Sequence, residues 1–191
     1  MLGFADPVHA SQSTFRAVMD ALARPGIIVP VTAMAAGPAL HPAAAAVALT
    51  LLDYETPVWL DRTLAAAPGL ADWFRFHTSA PMTPDPSRAA FAFIGDVVHA
   101  PSLDAFWLGT TEYPDRATTL VLQVERFVAD ECLLLSGPGI AGTQSFAAAP
   151  LPNNFRAQLI ANRELFPRGV DVILATKKEI AALPRSVRVT N

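Results

Sequence analysis

The chain has 191 residues, of which 52% are hydrophobic and 16% charged, and its formal net charge is −3. This length predicts a single domain over residues 1–191 that buries a full core without disulfides. The acidic balance, without a basic stripe, excludes nucleic acid as the expected partner. The apolar excess has two explanations that both stay open: heavy alanine use, or a large surface reserved for partner chains.

The first part of the chain predicts a helix, a strand and a second helix. Asp6 and Pro7 are typical of an N-cap and a first helical turn, and the Pro-Gly pair at 25–26 would end that helix. Residues 27–31 predict a short β-branched strand, and residues 42–52 a helix that is apolar all round, hence buried or at an interface. The apolar face predicted for the first helix has residues at helical spacing: Phe15, Val18, Met19 and Leu22.

Predicted strands and helices alternate in the middle of the chain. Strands are predicted at residues 58–60 and 91–94, a helix at 70–76 and a short helix at 101–108. Such alternation is typical of an α/β layered fold with a mixed sheet.

The last third begins with two apolar runs, residues 118–124 and 132–135, which we predict to form an antiparallel pair. The remaining predicted elements are a helix at 154–165, a strand at 170–175, one or two helical turns at 177–183 and an extended tail at 187–189.

Two features bear on cellular location. Cys132 is the only cysteine, so an intrachain disulfide is impossible, and beside three leucines it is interpreted as a buried small hydrophobe. Residues 26–52 carry no formal charge, but Pro30, Pro38 and Pro42 interrupt them, and a membrane-spanning helix needs about 20 unbroken apolar residues. We therefore expect a cytoplasmic protein with no membrane segment.

The strongest local motif is a glycine turn, in which Gly137, Gly139 and Gly142 form a G-x-G-x-x-G pattern after an apolar run. This is the fingerprint of a dinucleotide-binding turn when a helix starts there. Pro150 and Pro152 leave room for two helical turns at most, which argues against that function. A tight turn that needs positive φ, and a nest of backbone N–H groups for one phosphate, both remain open.

The polar residues suggest no complete catalytic set. The four histidines lack metal-ligand spacing, so no metal site is predicted. Pyridoxal phosphate would need a Schiff-base lysine, and Lys177 and Lys178 are expected to be solvated, so no cofactor is predicted. His77 is either a general base or anion donor, or a histidine at a helix C-terminus favoured by the dipole.

Four cationic side chains beside predicted strand ends or turns are the candidate anion or interface contacts, and no catalytic residue is assigned. These four are Arg24, His77, Arg168 and Arg185. Gly137 and Gly139 are predicted to be structural.

Six segments stand in an order that resembles a known family. They are Phe15-Arg16 with Ala23-Arg24-Pro25-Gly26; residues 49–53 running through 56–60; Arg75-Phe76-His77-Thr78 with Ala80-Pro81; Gly109-Thr110 near Pro114 with residues 117–120; the glycine turn through Ile140-Ala141; and residues 166–174 with Leu183-Pro184-Arg185. Together they resemble the PhnH family, the H subunit of the bacterial carbon–phosphorus lyase core complex, over about residues 6–189.

The resemblance implies a three-layer α/β/α sandwich with a mixed sheet, similar to the core of pyridoxal-phosphate-dependent transferases without their cofactor site. It implies a required subunit of the complex that makes alpha-D-ribose 1-methylphosphonate 5-triphosphate from an alkylphosphonate and a nucleoside triphosphate, with the chemistry chiefly on the I-type subunit. The implied partners are the G-, I- and J-type subunits, and a second copy of the chain (a homodimer) when it is isolated.

Two functions of other classes stay open. One is a stand-alone nucleotide- or phosphonate-binding enzyme that uses the Gly137–Gly142 turn, with Arg24 or His77 nearby. The other is a self-associating scaffold. The sequence has no recognisable active site of its own, and it has an excess of apolar residues. We therefore expect a subunit with an assembly role.

Overall fold

The computed structural model describes residues 3–31, 37–128 and 133–190. The helices in these ranges are α1 (Pro7–Ala23), α2 (Pro42–Leu51), α3 (Arg62–Ala65), α4 (Leu70–Thr78) and α5 (Phe155–Glu164). The strands are β1 (Val29–Pro30), β2 (Val58–Leu60), β3 (Phe91–Ile94), β4 (Thr119–Gln123), β5 (Arg126–Phe127), β6 (Leu133–Ser136), β7 (Gln144–Phe146), β8 (Ala148–Ala149), β9 (Asp171–Ala175), β10 (Glu179–Leu183) and β11 (Arg188–Thr190). Within the described ranges, no helix has both the length and the apolar character needed to cross a membrane.

A six-stranded mixed sheet organises the α/β fold, in the order β1-β10-β9-β4-β3-β2. Strands β2, β3, β4 and β9 are parallel, whereas β10 pairs antiparallel with both β9 and β1. The carboxyl ends of the four parallel strands therefore meet at one edge, called here the carboxyl edge, and their first residues meet at the opposite amino edge. The predicted α/β class and mixed sheet are confirmed.

Both faces of this sheet are buried, each in its own hydrophobic cluster. Val121 and Ile173 face the cluster that α1, α2 and α4 cover. Leu120 and Leu122 face the other cluster, which includes α5 and the three-stranded sheet β11-β6-β7. Burial on both faces explains why the central strands are continuous apolar runs rather than alternating ones.

The ends of α1 agree with the sequence prediction. The Asp6 carboxylate accepts a hydrogen bond from the His9 backbone N–H at 3.2 Å, and Pro7 occupies the first helical position. Arg24 is the C-cap residue, and its backbone N–H donates to the Asp20 carbonyl at 3.0 Å.

The apolar face predicted for α1 is wrong in part. Phe15 and Met19 are 49% and 50% exposed, although Val18 is buried. The reason is helix α2, whose residues Ala43 to Ala48 are at most 2% exposed and which packs against α1. Side-chain size at the contact sets the distance between helix axes, so small residues such as Ala17 and Ala21 fit against the alanines and the larger ones face outward.

The prediction of a helical turn at 177–183 is also wrong, because Glu179–Leu183 is strand β10. Thr176 forms the turn that leads into it: its hydroxyl oxygen accepts from the Lys178 and Glu179 N–H groups at 3.2 and 3.0 Å. Lys177 and Lys178 lie at the turn and are exposed, as expected. The apolar run of four residues at 180–183 fits a buried strand or a helical turn equally well, so periodicity alone does not separate them.

Three smaller predictions need correction. The helix at 101–108 is reduced to one 3₁₀ turn, Leu103–Ala105, and the strand at 27–31 to Val29–Pro30. The runs at 118–124 and 132–135 do not pair with each other, because β4 lies between β3 and β9 while β6 pairs with β7 and β11. Cys132 is outside the described residues, and its predicted burial stays a prediction.

Candidate functional site

The glycine turn packs against the rest of the chain. Gly137, Gly139 and Gly142 have φ values of 125°, 82° and 83°, a region that favours glycine. A Cβ atom on Gly139 would overlap the carbonyl oxygen of Ala23, and one on Gly137 would lie 3.2 Å from the carbonyl oxygen of Ser186. The turn therefore lies between the end of α1 and the segment that leads into β11.

The chain after the glycine turn is extended rather than helical. Residues Gln144–Phe146 form β7, which pairs antiparallel with β6. A dinucleotide site of the fingerprint type depends on the N–H groups of a helix that starts at the turn. The geometry therefore supports a structural turn, and use of Gly137–Gly142 by a stand-alone enzyme stays a prediction.

Arg24 lies beside this turn and forms an ion pair within its own helix. Its guanidinium is 3.2 Å from the Asp20 carboxylate, and both side chains are 56% exposed. Its neighbours Ala23 and Pro25 are the residues that a Cβ on Gly139 would meet. Arg24 therefore has a charged partner but remains open to solvent.

Arg185 is held by a network at the amino edge. Its Nε and one terminal nitrogen donate to the two carboxylate oxygens of Asp171, at 3.1 and 2.6 Å, and its backbone N–H donates to Asp171 at 2.8 Å. Its other terminal nitrogen donates to the carbonyl of Pro114. The two side chains are only 13% and 20% exposed, so this bidentate pair fastens the segment after β10 to the start of β9.

Arg168 lies at the same edge and is exposed. It lines an open cleft of about 370 Å³ together with Trp107 and residues 108–112. A second cleft, of about 380 Å³, lies against Trp107 and is lined by Arg88 and Arg116. Sequence analysis did not single out Trp107, Arg88 or Arg116, because these residues converge only when the loops before β3 and β4 are brought together.

His77 lies in the last turn of α4, as predicted, and it is partly buried. Its ring centroid lies 5.0 Å from that of Trp73, at a tilt of 49°, and 4.9 Å from that of Phe76, edge to face, and Gly3 lies close to the ring. Its Nε2 is buried without a hydrogen-bond partner among the described residues. Burial lowers the pKa of His77 below its ordinary value, so the neutral ring is favoured over the protonated one.

This lowered pKa makes stability depend on pH in a defined direction. Between the folded-state pKa and about 6.5, the value in the unfolded chain, the unfolded state binds more protons, so stability falls as pH decreases through about 6.5. We expect urea denaturation at pH 5.5 and 7.5 to show this loss, and His77→Gln to reduce it. An equal loss in the His77→Gln variant would contradict the assignment, and His9→Gln, at an exposed histidine, is the control.

The carboxyl edge has two buried polar side chains that sequence analysis missed. Asp61 is 6% exposed, and its carboxylate accepts from the N–H groups of Leu64, Gly95 and Asp96 at 2.8, 2.9 and 2.7 Å. Gln123 accepts from the His41 N–H and donates to the Ala39 carbonyl at 3.1 Å. Asp61 and Gln123 therefore each connect the end of a strand to a loop. The local sequence signal for Asp61 is that an acidic residue stands directly before the short helix α3, as an N-cap does.

A cleft of about 380 Å³ lies beside Asp61, with Asp96 and His99 in its lining. The His99 Nδ1 is 2.9 Å from the Asp96 carboxylate, and the two side chains are 75% and 45% exposed. In the part of the chain that the structure describes, no group of three or more His, Cys, Asp or Glu side chains is arranged to hold a metal ion.

The four predicted cations do not form one site. At the amino edge, Arg168 lines a cleft together with residues 109–112, and Arg185 donates to the Pro114 carbonyl in the same loop. Arg24 lies with the glycine turn, and His77 packs on Trp73 and Phe76 of α4.

A family model and one known protein match nearly the whole chain, and a second known protein matches part of it. The family model described as "Bacterial phosphonate metabolism protein (PhnH)" matches residues 2–190. The chain is 45% identical to "Alpha-D-ribose 1-methylphosphonate 5-triphosphate synthase subunit PhnH" of Rhizobium meliloti strain 1021 over 186 residues, which cover 97% of this chain and 92% of that protein. It is 35% identical over 82 residues to "Putative C-P lyase subunit protein HtxG" of Stutzerimonas stutzeri, covering 43% and 42% of the two chains.

Proposed function

This chain belongs to the PhnH family of bacterial phosphonate metabolism proteins, and we propose that it is a single-domain subunit with an assembly role in a ribose 1-methylphosphonate 5-triphosphate synthase complex. The observation that carries the proposal is the 45% identity to a named subunit of that synthase across 97% of this chain. The resemblance found in the sequence adds the G-, I- and J-type subunits as the partners that we expect.

The use of polar side chains in the structure supports an assembly role. The buried polar side chains form hydrogen bonds within the chain itself: Asp61 and Gln123 bind backbone groups, and Asp171 and Arg185 bind each other. Large apolar side chains such as Phe15, Trp107 and Phe166 are 44–51% exposed instead. Exposed aromatic groups are typical of surfaces that contact other proteins.

Co-expression tests the proposal directly. We expect the tagged chain, produced with its G-, I- and J-type partners, to retain them on an affinity column. Moving the tag to another subunit should recover this chain in return. Retention of none of the three would contradict the proposal, as would unimpaired growth of a deletion strain on methylphosphonate as its only phosphorus source.

We also propose that the isolated chain forms a homodimer through the outer face of α1. Val8, Phe15 and Met19 are spaced seven and four residues apart, so they share one side of the helix, and they are 64%, 49% and 50% exposed. A two-fold axis would pair this stripe with itself, as closed dimers require. We expect light scattering to give the mass of two chains, and the double change Phe15→Asp and Met19→Asp to give the mass of one. Two chains in both samples would contradict this interface.

The cytoplasm as its location, which a single cysteine favours, is part of the same proposal. So is the expected likeness to the core of pyridoxal-phosphate-dependent transferases without their cofactor site.

A further inference from the structure

We propose that Trp107, with Arg88, Arg116 and Arg168 around it, is the docking site for a segment of a partner subunit that carries carboxylates beside an apolar side chain. The four residues are called here the Trp107 surface. The inference rests on the proposed function, because it identifies which face of this subunit meets another member of the complex.

The backbone of Trp107 is hydrogen-bonded through both its N–H and its carbonyl, although its side chain is 44% exposed. Its N–H donates to the hydroxyl oxygen of Thr118 at 3.2 Å, and its carbonyl accepts from the Thr118 N–H at 2.8 Å. Thr118 is fully buried, and its hydroxyl also donates to the Ala89 carbonyl at 2.6 Å. The indole therefore projects from a preorganised backbone, which reduces the conformational entropy that binding removes.

Trp107 lines two clefts, and arginines outnumber acidic residues over the two linings taken together. Arg88 and Arg116 line one cleft and Arg168 the other, and Glu112 is the acidic residue in the lining. None of the ion pairs between described residues includes any of these three arginines, and all three are exposed. Hydrogen bonds from Ser87, and then the nearby Arg88, lower the pKa of the exposed Asp85 carboxyl, so Arg88 already has one acidic neighbour. The net positive charge of the two linings complements carboxylates, which arginine binds through two parallel hydrogen bonds.

The composition of this surface favours a protein partner over a small ligand. Tyr113 is 53% exposed and lies under the Arg116 guanidinium, 4.4 Å from it, which adds a second aromatic ring. Tryptophan, tyrosine and arginine are the residues most enriched among those that dominate binding energy at protein interfaces. A small ligand, by contrast, is usually enclosed in one pocket, whereas these are two open clefts that share an exposed indole.

The test measures assembly of the complex from wild-type and variant chains. We expect Trp107→Ala to weaken association with the other subunits about 30-fold, the effect of truncating a dominant interface residue. The triple change Arg88→Glu, Arg116→Glu and Arg168→Glu should weaken it at least as much, and should remove the salt dependence that the wild type shows. Arg62→Glu and Phe76→Ala, at exposed residues that line neither cleft, are the charged and aromatic controls, and thermal unfolding confirms that each variant folds.

Each outcome separates this inference from the function on which it rests. If the wild type assembles and both surface variants do so with wild-type affinity, the inference is overturned and the proposed function stands. If the variants assemble fully but the complex loses affinity for a nucleoside triphosphate, the arginines face substrate rather than a subunit, which also overturns it. If the wild type itself does not assemble, the proposed function fails and the inference fails with it.

Discussion

Gly139→Ala is expected to lower the free energy of unfolding by about 2–5 kcal/mol. The left-handed φ of 82° accounts for about 1–2 kcal/mol of this loss, because a Cβ is disfavoured there. The added methyl group would also overlap the Ala23 carbonyl oxygen and lie 3.1 Å from Pro25 Cδ, so the turn must move away from α1, at a further cost of about 1–3 kcal/mol.

Gly142→Ala is the matched control for this substitution. Gly142 has nearly the same φ, 83°, but a Cβ there would meet nothing within 4 Å. Urea denaturation should therefore show a loss of only about 1–2 kcal/mol for this variant. Equal losses for the two variants would show that backbone strain alone acts at Gly139. Calorimetry with ATP adds a second criterion: selective loss of nucleotide binding by folded Gly139→Ala would reverse the structural interpretation of the turn.

Breaking the Asp171–Arg185 ion pair should also lower the free energy of unfolding substantially. Asp171→Ala leaves the Arg185 guanidinium, which is 13% exposed, without its carboxylate. Removing one partner of a fully buried pair costs about 3–5 kcal/mol, and the residual solvent contact here reduces our expectation to about 2–3 kcal/mol. Arg185→Met keeps the apolar stem but removes the charge, and it should lower stability to a similar extent.

The Asp20–Arg24 pair is the control, because both of its side chains are 56% exposed. Asp20→Ala should change stability by about 0.5 kcal/mol or less in the same denaturation experiment. A loss of that size for Asp171→Ala as well would mean that the amino-edge network does not hold β9 to the segment after β10. A double-mutant cycle over Asp171 and Arg185 measures their coupling directly.

The elements that the sequence predicted correctly are those whose signals are local. The N-cap Asp6 followed by Pro7, and the apolar runs that became β3, β4 and β9, depend on neighbours within a few residues. The prediction of a helix at strand β10 was wrong because this segment is extended only through its pairing with β9 and β1. A short apolar run in the sequence does not reveal that pairing. The buried face of α1 likewise depends on the alanines of α2.

The polar network was beyond prediction for the same reason. Gln123 meets His41 and Ala39, more than 80 positions away in sequence, and Thr118 connects Trp107 to Ala89. Such contacts follow from sheet topology, which no single segment encodes. The glycine turn shows the opposite case: its pattern was visible, but its significance depended on the Ala23 carbonyl that fills the space beside Gly139.

The two outer strands of the six-stranded sheet limit how this subunit can meet other chains. β1 has only two residues, and its Pro30 has no N–H to offer a further strand. On the other side, the Val58 N–H donates to the Pro81 carbonyl and the Val58 carbonyl accepts from the Thr83 N–H, so part of the outer side of β2 is already paired. Open sides on an apolar sheet are a template for edge-to-edge pairing and aggregation. A short outer strand on one side and a partly paired one on the other leave little room for a further strand, which favours side-chain surfaces over strand pairing at this sheet as the means of assembly.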